Sequence, residues 1–98
     1  MKFMAIERAI GHPSEDDFHP YLKDEAHLIW KLYECGKLRE IYFNDDHRAV
    51  LFLEGETKDD VMSCLDKLPL VKARLIRFEI HELHPYLGFK RLFQYDED

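Results

Sequence analysis

Strand-like and helix-like segments alternate in this chain as strand, helix, strand, strand, helix, strand, and few folds accommodate that order. Residues 2–10 read as a strand closed by Gly11-His12-Pro13. Residues 14–37 read as one amphipathic helix ended by Gly36. Residues 38–43 and 48–54 read as a hairpin around the polar turn Asn44-Asp45-Asp46-His47. Thr57 opens a second helix that runs to Leu68 and is stopped by Pro69, and residues 72–83 form the last strand. Two strand–helix–strand halves make a ferredoxin-like α+β domain, βαββαβ, with a four-stranded antiparallel sheet and two helices on one face. Pro20 complicates the first helix: either it kinks there, or it starts near His19 with Pro20 in its first turn.

Two helices cover only one face of such a sheet, yet both faces carry apolar residues. In the first strand Met4, Ile6 and Ile10 share a face with Arg8, while Phe3, Ala5 and Ala9 share the other with Glu7. In the last strand Ile76, Phe78 and Ile80 oppose Leu75, Arg77, Glu79 and His81. A second copy of the chain is the simplest cover for the second face, so a homodimer or a higher oligomer of dimers is expected. Residues 1–84 form the domain and residues 85–98 a tail. Up to Tyr95 that tail holds six large apolar or aromatic side chains, so it is expected to reach across a subunit interface, adding a short strand to a neighbour. The acidic end Asp96-Glu97-Asp98 reads as solvated.

Charge and composition narrow the function. With a net charge of -6 and no Lys/Arg stripe, nucleic acid is excluded as a partner. The four glycines are not clustered, so no loop can cradle a nucleotide phosphate. The six histidines form no metal-ligating spacing, and no metal and no cofactor are expected. Cys35 and Cys64 make no C-x-x-C pair. They suit a reducing compartment, and with no signal peptide or membrane span in the pattern the expected location is cytoplasmic.

General acid–base chemistry is the class the residues support best. On the first helix Phe18, Leu22, Ile29 and Tyr33 make one apolar ridge, and Tyr21, Leu28 and Leu32 another. Glu25 falls between them, where a core residue belongs. A carboxylate desolvated there has a raised pKa, which suits a group that takes and returns a proton near neutral pH. Arg8 and Arg39 are the odd charges among apolar strand neighbours. If their face packs on the helices they point toward Glu25, either to neutralise it as a structural ion pair or to hold a substrate carboxylate. Trp30 and Tyr33 either line a pocket or fill the core.

The chain resembles the muconolactone isomerase family and its relatives in the dimeric α+β barrel superfamily. The residues that carry the resemblance are Lys2-Phe3-Met4, Cys35-Gly36-Lys37, the Thr57–Leu68 helix running into Leu68-Pro69-Leu70, and His84-Pro85. Aligned on Gly36-Lys37, Glu25 meets a helix glutamate of the family, in Lys23-Asp24-Glu25, and Arg39 falls near an arginine of its second strand. The stretch Val71-Lys72-Ala73-Arg74 and the tail depart from the family pattern. The resemblance implies a cofactor-free proton shift on a lactone or related carboxylated small molecule, with Glu25 as acid and base and Arg8 or Arg39 as anion holder. A non-catalytic binding or assembly module on the same scaffold is the alternative, and a cofactor-free monooxygenase a further one.

Overall fold

A computed structural model describes residues 1–93. Its four strands are β1 (Lys2–Ala9), β2 (Leu38–Phe43), β3 (Ala49–Glu54) and β4 (Ile76–Leu83). They form one sheet in the order β2-β3-β1-β4, and every neighbouring pair is antiparallel. With the helices on one face this is the ferredoxin-like α+β fold.

The first helix is broken where Pro20 predicts trouble. A short turn, α1 (Glu15–Phe18), is capped by Ser14 and followed by a 3-10 turn over His19–Tyr21; the long helix α2 runs only over Leu22–Glu34. Proline lacks the N–H that a continuous helix needs, so the chain re-starts after it. Gly36 closes α2 at φ 83°, a conformation that costs glycine nothing.

The second helical region is split as well. Thr57 and Asp60 exchange a capping box at the start of α3 (Lys58–Leu65). Pro69 does more than stop it: Pro69 is the first residue of a further helical turn, α4 (Pro69–Lys72). This turn and the residues after it, with Arg74 at φ 60°, use up the start of the expected last strand, so β4 begins at Ile76 rather than residue 72.

The core lies between sheet and helices. Phe3 and Ala5 of β1, Leu38 of β2, Leu51 and Leu53 of β3 and Ile80 of β4 meet Val61 and Leu65 of α3, with Leu68 beyond it. From α2, Leu28, Ile29 and Leu32 pack against this cluster while staying partly exposed. β1 therefore turns Phe3 and Ala5 to the helices. Met4, Ile6 and Arg8 take the opposite face, with Val50 and Phe52 of β3.

Among the described residues no helix covers that second face, and no helix is long and apolar enough to cross a membrane. After β4, Tyr86, Leu87, Phe89, Leu92 and Phe93 are all well exposed. The described part of the tail forms a 3-10 turn over Gly88–Leu92. The Gln94-Tyr95 part of the tail, and the acidic end expected to be solvated, lie outside the described residues.

Candidate functional site

Glu25 sits in the first turn of α2, on the side that faces the sheet. Its Oε1 accepts the backbone N–H of Leu70 at 3.0 Å. Leu70 is the second residue of α4, whose opening N–H groups have no partner within the helix, and the carboxylate of another helix supplies one. Among the described residues Oε2 takes no protein hydrogen bond, and no arginine pairs with Glu25. Burial raises the Glu25 pKa above its ordinary 4.5; the Leu70 N–H works against this, and the charge of Glu7 adds to it.

The carboxyl group opens onto a cavity of about 550 Å³ between α1, α2, α4 and the sheet. Phe18, Leu22, Ile29, Ile41, Phe43 and Phe78 are among its apolar lining residues, and two of them belong to the edge strand β2. Phe18, Leu22 and Ile29 of the ridge beside Glu25 line this cavity, and no residue of α2 is fully buried.

Two of the other charged residues lining this cavity, Glu7 and Arg48, are tied to each other. Glu7 of β1 points to the helix face and is 9% exposed. It lies one residue past the last β1–β3 pair, Ile6↔Val50, and its Oε1 takes the Ala49 N–H at 3.3 Å where the ladder has ended. Its Oε2 accepts from Arg48 at 3.4 Å. Arg48 is set by the β2–β3 turn, where the Asn44 side chain accepts the N–H groups of Asp46 and Arg48, each at 3.0 Å, and His47 adopts φ 58°.

The expected arginines lie elsewhere. Arg8 does not point toward Glu25: it is on the opposite face of the sheet, donating to Glu79 at 2.7 and 2.9 Å. There the Arg8 guanidinium holds the Glu79 carboxyl below its usual range, and His81 lies 3.5 Å from the same carboxylate. Arg39 also misses Glu25, because the β2–β3 register slips between Leu38 and Glu40. It lines an adjoining groove with Trp30, Tyr33, Glu40 and Tyr42. Trp30 and Tyr33 contact each other there, with ring centroids 5.7 Å apart, and both are more than half exposed, so neither is core. This groove shares Ala26, Ile29 and Ile41 with the Glu25 cavity. On the second face of the sheet the Tyr42 hydroxyl donates to Glu40 at 2.7 Å, a bond that raises the Tyr42 pKa.

Alternation in β1 marks Glu7 as a lone charge among Phe3, Ala5 and Ala9 just as it marks Arg8 on the other side. Alternation does not say which side the helices take. Arg48 carries no comparable signal, since its place depends on the turn. Among the described residues no group of three His, Cys, Asp or Glu side chains could hold a metal ion. Both cysteines are free, and Cys64 accepts from the Lys37 ammonium at 3.5 Å.

No protein-family model matches the chain, and no curated protein matches it. Among solved structures it is similar to a 5-chloro-2-hydroxyhydroquinone dehydrochlorinase from Burkholderia phenoliruptrix, solved in complex with 2,5-dihydroxybenzoquinone. The identity is 20%, the TM-score 0.67, and the match covers 86% of this chain and 94% of that one. The likeness is one of fold: a four-stranded antiparallel sheet with helices, of the α+β class.

Proposed function

We propose that this chain is a small enzyme that moves a proton on a ring compound, a lactone or an equivalent enolisable ring, with Glu25 as base and then acid. The observation that carries this reading is a carboxylate with one oxygen anchored to Leu70 and the other facing a largely apolar cavity. The anchored oxygen fixes the group, and burial tunes it toward proton exchange. In the reaction the substrate C–H bond breaks, its electron pair enters the enolate system, and the proton bonds to Glu25; it returns at another carbon. Arg48 is the arginine that lines the cavity, where it is paired with Glu7. Arg39, Trp30 and Tyr33 form the rim of the adjoining groove. The fold match to an enzyme that acts on a hydroxylated ring agrees with a ring-sized ligand. A second reading, a ligand-binding module, has one observation in its favour: capping α4 gives Glu25 a structural role without chemistry.

The test is turnover and solvent-deuterium uptake with a panel of unsaturated lactones, followed across pH. A base must be ionised, so the rate is expected to fall as the solution is acidified through the Glu25 pKa, with a midpoint above the ordinary 4.5. A rate flat to pH 4.5, or product formed without solvent deuterium in a reaction that is slow relative to exchange, contradicts the proposal.

The working form proposed is a homodimer in a reducing, cytoplasmic compartment. Met4, Ile6, Val50 and Phe52 on the uncovered sheet face support it, together with the exposed aromatics of the tail. Sedimentation velocity is expected to give the mass of two or more chains. Deleting residues 85–98 removes side chains each worth about 1.5–3 kcal/mol when buried, so the dissociation constant is expected to rise at least about tenfold. A monomer at micromolar concentration, or association indifferent to the deletion, contradicts this.

A further inference from the structure

Charged side chains in the cavity are unequally distributed by sign. Glu7, Glu15, Glu25 and Asp46 line it against Arg48 and His47. Arg48 already lies against Glu7, which also accepts the Ala49 N–H, so the arginine charge of the cavity is already opposed by a carboxylate. Arg39, the nearest candidate on β2, opens onto the adjoining groove and shares it with Glu40. An anionic ligand would therefore enter a site lined by more acidic than basic side chains, with Glu7 buried against its apolar wall.

We infer that the cavity takes an uncharged ring and rejects its carboxylated analogue, and that Glu7 is the residue that sets this choice. The inference rests on the reading of the cavity as a substrate site, and it removes the carboxylate from the expected substrate. It is also consistent with the chemistry. When a neutral ring gives its proton to ionised Glu25, the negative charge moves from the protein to the enolate and the total in the cavity does not change. A ring that already carries a carboxylate adds a further negative charge in every state along the reaction, where the Arg48 charge is already opposed by Glu7.

The probes are a butenolide bearing an acetate arm and the methyl ester of that compound, alike in shape and different by one charge at pH 7. Binding is measured at equilibrium by calorimetry, so it does not depend on turnover. Failure of the acid–base reading shows in rate and deuterium uptake, and failure of this inference shows in binding. In the native protein the ester is expected to bind at least about tenfold tighter than the acid, with the gap narrowing as salt is added. In Glu7→Gln the acid is expected to gain about tenfold while the ester changes little, because the Gln carbonyl can still accept from Ala49. Since Glu7 is buried and its variant can be destabilised, the paired change Glu15→Gln and Asp46→Asn, at exposed lining positions, provides a second test. It is expected to narrow the gap in the same direction by a smaller factor. Equal affinities in the native protein, a tighter acid (through Arg39 or otherwise), no measurable ester binding, or a gap that neither substitution narrows would each overturn the inference.

Discussion

Glu25→Gln is expected to lower turnover of a lactone substrate by about two to four orders of magnitude, the usual worth of a positioned general acid–base group, with the fold intact. Glutamine keeps an oxygen for the Leu70 N–H, so α4 stays capped, but it cannot accept and release a proton. Stability separates the two roles. The folded-state pKa of Glu25 is raised, so the folded chain holds this proton more firmly than the unfolded chain does. The resulting stabilisation is present below the ordinary 4.5 and is lost as pH rises through the folded value. At neutral pH the native protein thus carries the cost of a partly desolvated carboxylate, and the Gln variant does not. The variant is expected to unfold at an equal or higher temperature at pH 7, and to lack that part of the pH dependence. Full turnover in a folded Glu25→Gln protein would leave only the capping role, and with it the binding-module reading.

Phe3→Ala is expected to remove about 3–5 kcal/mol of stability. Phe3 is 1% exposed, pairs with Leu53 in the register of the sheet, and belongs to the cluster that joins β1 and β3 to α3. Deleting its ring leaves a void that the surrounding leucines cannot fill without moving two strands. A domain of this size is marginally stable to begin with, and each kilocalorie is worth roughly 4–8 °C. The midpoint should therefore fall by at least about 12 °C at fixed protein concentration. Phe3 does not line the Glu25 cavity, so ligand affinity at low temperature should be preserved. A loss under about 1 kcal/mol would mean that the core does not depend on this packing.

The contrast between Arg8 and Glu7 shows how much of the site was legible in the chain. Both are single charges on otherwise apolar faces of one strand. The expectation that Arg8 points toward Glu25 depended on the face of Met4, Ile6 and Ile10 packing on the helices. The helices instead pack on Phe3 and Ala5, and Glu7 is carried inward with them. Arg39 was misplaced for another reason: a register slip after Leu38 changes which residues of β2 share a face, and strict alternation cannot register it. Pro69 was legible as a breaker but not as the first residue of α4, because that role depends on Leu70 finding a carboxylate on α2.

By itself the sequence determined the order of elements, the antiparallel α+β class and the anomaly at Glu25. These follow from periodicity, caps and breakers, which are local properties. Only the tertiary structure decided what surrounds that carboxylate: a backbone N–H from α4, Glu7 from β1 and Arg48 from a turn, with Arg8 left on the far face. The physical reason is that an isolated strand has two equivalent faces. Which one becomes the inside is set by the packing of helices that are distant in sequence, and the charge of the cavity is set along with it.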